Sequence, residues 1–428
     1  MLQISEKIKN NKTIFSNFSY LAILEIFVLI APLITYPYLV RVLGTELYGW
    51  VITAQVTASY ASIIIDFGFR RVSAKYVASV RDNLTELSKV VSTVVSLRVL
   101  LWIGTLILYI GIVLLIPSYR SQWILFLLSY GLTFSSALLP DFYFQGIENM
   151  KYITIINVFT RLLFICSTFF IVTQPSQYIL VPALWSIGYL TGGIYSLYVV
   201  FKKHNLKFIK PDISSYKFHL RETTPIFLSD VMLNVKDKFS YNLMGGILGM
   251  SDVVIYDLGT KIVNILAKPT TIFCSVIFPK MSRNPNVATT KRIMLGLFLI
   301  SILMVCCVYF LLPYIVKFFI DQEIDLFPLR VYLLVPIFTG LSFYIPSAVF
   351  VVFGRNRYVL YSTIVSTFSY AIMLSIMWIG GWLDSVLNFI ILTVSSYIIE
   401  TMYRLFLSAK IFREFNDNEK QSIAHNTN

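Results

Sequence analysis

Long apolar runs, separated by short basic or polar intervals, organise this chain. They lie near 17–40, 47–69, 90–116, 122–144, 152–173, 179–201, 222–247, 253–279, 293–317, 328–353, 358–380 and 386–410. Each is close to the roughly 20 residues that a helix needs to cross ~30 Å of hydrocarbon. A segment in lipid has to satisfy its own backbone polar groups, so runs of this length predict helices and not strands. The expectation is an all-α polytopic membrane protein with about twelve transmembrane helices. The first run is too long for the apolar part of a secretion signal and lacks a small-x-small cleavage site, so it is expected to be a retained helix.

Composition sharpens this picture. The chain is 57% hydrophobic and 13% charged, with mean hydropathy +0.74, whereas soluble domains carry about 25% charged residues. A soluble enzyme is excluded. The basic residues fall mostly at one set of helix ends: Lys7, Lys9 and Lys12; Arg70, Arg71, Lys75, Arg81 and Lys89; Lys151; the run from Lys202 to Arg221; Lys280, Arg283, Lys291 and Arg292; Arg355 and Arg357. The other ends hold Arg41, Arg120 and Lys317. By the positive-inside rule the first set is cytoplasmic, as are both termini. That asymmetry accounts for the net charge of +13 without a nucleic-acid partner. Cys166, Cys274, Cys306 and Cys307 lie in apolar segments with no ligand spacing, and the histidines lie in connections or the tail, so neither a metal nor a cofactor is expected. No phosphate-binding G-x-x-x-x-G-K-[ST] loop occurs, so nucleotide hydrolysis by the chain is not expected.

The longest connection, "FKKHNLKFIKPDISSYKFHLR", divides the runs into six and six. The expected organisation is an N-terminal six-helix lobe at 1–201, a cytoplasmic linker at 202–221, a C-terminal six-helix lobe at 222–411 and a cytoplasmic tail at 412–428. Two internal echoes point to a duplication. "TYPYLVRVLG" (35–44) parallels "SYNLMGGILG" (240–249), and Pro140 followed by "FQG" parallels Pro346 followed by "VFG". Six intervening spans make the repeats parallel, related by a pseudo-two-fold axis along the membrane normal, and repeat transporters of this kind hold substrate between the halves.

The charges inside the spans carry the chemistry. A charged side chain at the bilayer centre costs about 2.5–3.5 kcal/mol on insertion scales, so such residues face a polar interior. Asp257, Lys261, Asn264 and Lys268 share one helical face, as do Asp230, Asn234, Asp237 and Tyr241, with Lys238 alongside. Ion pairs that tie helices together, such as Asp257 with Lys261, account for individual members. The whole set is better accommodated by a water-filled cavity lined by the first, second, seventh and eighth helices. The candidate substrate-binding residues are Lys236, Lys238, Lys261, Lys268, Arg161 and Arg41. Lysine ammonium groups suit phosphate as point charges, and neighbouring Tyr, Asn and Ser suit sugar hydroxyls. Glu25, Asp66, Asp230, Asp237 and Asp257 are the groups available to carry protons. Arg98 is expected to snorkel from an inner helix end, and Arg161 either to pair with Asp141 or to serve the cavity.

"YPYLVRVLGTELYGW" with "DFGFRRVSAKYVA" (66–78), "PDFYFQGIENMKYITIINVFTRL" (140–162) and "YDLGTKIVNILAKPTTIFCSVIFPKMSR" (256–283) resemble the corresponding segments of bacterial Wzx-type polysaccharide exporters. These belong to the multidrug/oligosaccharidyl-lipid/polysaccharide exporter superfamily. The resemblance implies a flippase that moves undecaprenyl-diphosphate-linked repeat units from the cytoplasmic to the periplasmic leaflet of the inner membrane. It further implies two six-helix lobes alternating in access, and partnership with membrane lipids, a polysaccharide polymerase and a chain-length regulator. Lipid II flippases of the superfamily usually carry two further spans, which argues against that cargo. An alternative within the superfamily is a multidrug or cation antiporter, although cationic cargo suits an acidic cavity better than one with four lysines. A membrane glycosyltransferase is disfavoured, because no long loop carries paired carboxylates.

Overall fold

Backbone amides in lipid are paired within helices, and among the described residues every regular element is helical. The computed structural model describes residues 2–283, 285–355 and 357–426. The side chains of Lys7, Lys9, Lys12, Lys280 and Arg283, assigned above to the basic face, lie outside the described residues. Nine segments are long and apolar enough to cross a membrane among those described. The first, Ser19–Val80, spans 62 residues and accommodates two crossings. The helices Ile213–Ile247 and Met250–Arg283 supply the remaining two expected spans. Both are less apolar than the nine because they carry several charges along their length. The chain is a multi-pass membrane protein.

Chain contacts divide it into two compact units, Met1–Lys238 and Phe239–Asn428. The division falls inside the Ile213–Ile247 helix.

Breaks in the helices of the first unit shape its polar interior. Gly44 interrupts Leu2–Asp66 with φ 77. At the far end Phe67 and Gly68 both adopt positive φ before Phe69–Val80 resumes the helix. Ile226 and Thr223 approach Gly68 so closely that a Cβ there would lie 3.0 Å from Ile226 Cγ2. The expected span at 122–144 is not one helix. Pro140 cannot donate to the helical ladder, and it pushes Leu139 into an extended conformation (φ −84, ψ 108). The ladder therefore lapses between Phe134–Leu138 and Asp141–Gly146, leaving carbonyls for other donors. The Leu180–Tyr198 helix packs through Gly188 and Gly192 against Thr160 and Ile156, where a Cβ would sit 2.9 Å from either side chain. This matches the small-xxx-small pattern. Phe69, Val77, Val91, Phe142, Phe144 and Val199 form the apolar core of this unit.

In the second unit Gly249 carries φ +125, so both members of the first echo end at a glycine that breaks a helix. Its core joins Leu341, Ile345, Phe350, Leu407 and Phe412. Buried beside it, Glu400 receives Arg404 Nη2 at 2.6 Å and Ser366 Oγ at 2.6 Å. Arg404 also donates to Ser362 Oγ (3.2 Å) and to the Ser342 carbonyl. Large apolar side chains such as Ile107, Phe170, Phe310, Ile379 and Phe406 remain exposed, as a lipid-facing perimeter requires.

Candidate functional site

The first unit encloses a cavity of about 480 Å³. Glu25, Ser59, Ser62 and Asp66 reach it from the long first helix, Asn157 and Arg161 from Met150–Ile171, and Asp230, Asn234 and Lys238 from the Ile213–Ile247 helix. Arg70, Arg71, Arg98, Ser135, Ser136, Asp141 and Tyr189 complete its polar wall. Such a lining is tolerated inside a membrane protein only where charges are paired or wet.

Most of these charges are paired. Arg98, 1% exposed, is the centre of a network, although the sequence pattern suggested a snorkelling helix end. Its Nη2 donates to Asp66 Oδ1 at 2.6 Å, and its Nη1 to Asp141 Oδ1 at 3.1 Å and to the Leu139 carbonyl at 2.8 Å. The guanidinium lies 5.1 Å from the Phe142 ring centroid. Arg70 Nε reaches the other oxygen of Asp141 at 3.1 Å, and Arg71 holds Asp230 at 2.7 Å. One arginine thereby ties the two helix breaks together, the turn after Asp66 and the lapse at Leu139–Pro140. Asp141 is consumed by Arg98 and Arg70, so it is not the partner of Arg161.

Two cavity cations are held differently. Lys238 Nζ donates to Ser59 Oγ at 2.9 Å, a hydroxyl in place of a carboxylate. Arg161 lies 5.9 Å from the Trp185 ring centroid, and its Nε is buried with no hydrogen-bond partner among the described residues. Both bring positive charge to the cavity wall.

The structure thus gathers Arg161, Lys238, Glu25, Asp66 and Asp230 from the expected set around one cavity. Lys236 and Arg41 are not among its described lining. Lys236 is buried and sits 3.8 Å from Asp237, while Arg41 is exposed, three residues before the break at Gly44. Asp257, Lys261 and Lys268 belong to the second unit. There Lys261 pairs with Asp257, whose other oxygen accepts from Tyr241 at 3.2 Å. Sequence reasoning missed the network role of Arg98, Asp141, Arg70 and Arg71. The available signal was an acid directly after a helix-breaking proline, together with an arginine well inside an apolar run.

Comparison with known proteins adds the family. The model for polysaccharide biosynthesis proteins matches residues 14–285, and the chain belongs to that family. A protein of Escherichia coli (strain K12) named "Putative O-antigen transporter" is 24% identical over 286 residues, covering 67% of this chain and 69% of its own. A protein of the same name from Shigella dysenteriae is 26% identical over 302 residues, covering 69% and 75%. The fold is shared with the lipid II flippase MurJ in an inward closed conformation, at TM-score 0.70 and 15% identity over 92% of this chain and 87% of that one. It is shared too with an inward-facing MATE family multidrug transporter of the MOP superfamily, at TM-score 0.69 and 14% identity over 90% and 96%. The fold is accordingly the all-helical one of these two structures.

Proposed function

We propose that this protein flips undecaprenyl-diphosphate-linked oligosaccharide repeat units from the cytoplasmic to the periplasmic leaflet of the bacterial inner membrane by alternating access. Both termini are cytoplasmic in this reading. The observation that carries it is the cavity of the first unit, rich in hydroxyl and amide groups, into which Lys238, hydrogen-bonded to the Ser59 hydroxyl, and Arg161, with its Nε unpartnered, bring positive charge. Membership of a polysaccharide biosynthesis family and relatives named for O-antigen transport support the same cargo class. Lys238 and Arg161 engage the head group, with Lys236, Lys261, Lys268 and Arg41 contributing in other stages of the cycle. Glu25, Asp66, Asp230, Asp237 and Asp257 carry the coupling protons. The flipped unit passes to a polymerase and its chain-length regulator.

The test is deletion of the gene in its own host, with quantification of lipid-linked repeat units in the membrane and of long-chain polysaccharide at the surface. Accumulated single repeats with loss of surface polymer are expected. Wild-type protein should restore export, while Lys238→Ala and Arg161→Ala should not, at equal membrane abundance. An unchanged glycan profile on deletion would refute the reading. Uptake of lipid-linked glycan into vesicles that ignores an imposed pH gradient would remove the proton-coupling part alone.

A further inference from the structure

One wall of the cavity has a feature that charge does not explain. Tyr189 lines the cavity and stacks on Trp185, with centroids 5.4 Å apart and planes 15° apart. Trp185 is backed by Phe164 at 4.0 Å and 19°. Arg161 lies against the same indole, and Asn157, one helical turn before it, also faces the cavity. The ladder runs between two helices, Met150–Ile171 and Leu180–Tyr198, whose close packing at Gly188 and Gly192 holds the rings in place.

The chemistry of this group is specific. A planar aromatic ring lining a polar cavity, beside a guanidinium and an amide whose N–H is held by the Ile153 carbonyl and whose oxygen is left to accept, suits a carbohydrate. A pyranose has an apolar C–H face to lie on the ring and equatorial hydroxyls at its edge to accept from Arg161 and exchange with Asn157. A diphosphate gains nothing from an aromatic face, and a polyprenyl chain gains nothing from the amide and the guanidinium. Lys238, on a different helix and held by the Ser59 hydroxyl, is the point charge better suited to phosphate.

We infer that Tyr189, stacked on Trp185 and flanked by Arg161 and Asn157, forms a sugar-binding subsite that reads the glycan head of the cargo separately from its diphosphate. This rests on the flippase reading and assigns a part of the same cavity to carbohydrate. Tyr189 is then a determinant of specificity, and its replacement should alter discrimination between cargoes more than overall affinity for the carrier.

The experiment uses the purified full-length chain in nanodiscs and two probes, a polyprenyl diphosphate without sugar and the same lipid carrying one N-acetylhexosamine. Dissociation constants are measured for wild type, Tyr189→Leu and Tyr189→Phe. Wild type should prefer the glycosylated probe. Tyr189→Leu, which stays apolar and removes the ring, should weaken that probe by about 2–10-fold, the scale of one aromatic contact. It should leave the bare diphosphate unchanged, and Tyr189→Phe should behave as wild type. Equal weakening of both probes, an unaltered preference in Tyr189→Leu, or no preference in wild type overturns the subsite while leaving the flippase reading intact. Failure of wild type to bind either probe removes the flippase reading as well.

Discussion

Replacing Arg98 by methionine tests the network that closes the cavity wall. Arg98 is buried, with Asp66 31% and Asp141 14% exposed, and it donates to both carboxylates and to the Leu139 carbonyl. Methionine fills much of the same volume but takes the guanidinium from Asp66 and Asp141 and one donor from the Leu139 carbonyl; Asp141 keeps Arg70 and the Phe142 N–H, and the carbonyl keeps the Asp141 N–H. Removing one partner of a buried ion pair costs about 3–5 kcal/mol, mostly through the charge left behind. For a unit of this size that corresponds to a fall in melting temperature of about 6–20 °C. The assay is thermal unfolding of detergent-solubilised protein followed by fluorescence-detected gel filtration. Arg98→Lys should fall between wild type and Arg98→Met, because one ammonium cannot reach all three acceptors in the planar fork that guanidinium provides. The decisive comparison is the triple variant Arg98→Met, Asp66→Asn, Asp141→Asn. It removes every buried charge of the cluster and leaves only the half-exposed Arg70 without its carboxylate, so it should recover much of the loss, since replacing a buried ionic cluster by neutral groups is often close to neutral. A melting temperature for Arg98→Met within about 2 °C of wild type, which is less than 1 kcal/mol on this scale, would refute the clamp. So would a triple variant less stable than the single one.

Three further outcomes are expected. In the second unit, Glu400→Gln strands the buried Arg404 and should destabilise by about 3–5 kcal/mol, whereas Glu400→Leu combined with Arg404→Met should restore most of it in the same melting assay. Gly146→Ala should destabilise by about 1–3 kcal/mol through overpacking in the same melting assay, because a Cβ there overlaps the Val77 side chain and the Ala74 carbonyl; adding Val77→Ala should not relieve it, since the residue-77 Cβ, 2.5 Å away, remains. His219, in the basic connection before the seventh span, is buried against the Tyr76 ring. Burial lowers its pKa below the usual 6.5, with Glu222 opposing the shift. The unfolded chain therefore binds a proton that the folded chain refuses, and the stability held above about pH 6.5 is lost as pH falls below it. Melting temperatures at pH 7.5 and 5.5 should converge in His219→Gln, and an unchanged pH slope in that variant would count against the assignment.

Much of this protein is legible in its amino-acid sequence. Helix type and number follow from apolar run length, because a bilayer of set thickness demands helices of set length. The polytopic class follows from the same runs. The first echo located two helix breaks, since "VRVLG" and "GGILG" each end at a glycine that adopts positive φ. Among the cavity residues, Glu25, Asp66, Asp230, Arg161 and Lys238 stood out simply by being charged inside apolar runs. What periodicity could not supply is which charge meets which. Arg98 and Asp141 are 43 residues apart, and nothing in either segment selects its partner. Pro140 marked a break without telling which donor would take the freed carbonyl. The Phe164–Trp185–Tyr189 ladder is likewise invisible in sequence, where aromatic residues in spans read as lipid-facing or packed bulk. Helix formation is decided by neighbours a few residues away, through backbone hydrogen bonds and the solvent that surrounds them. Charge pairing and ring stacking are decided by side chains that meet only after the helices have packed, and that step belongs to the tertiary structure.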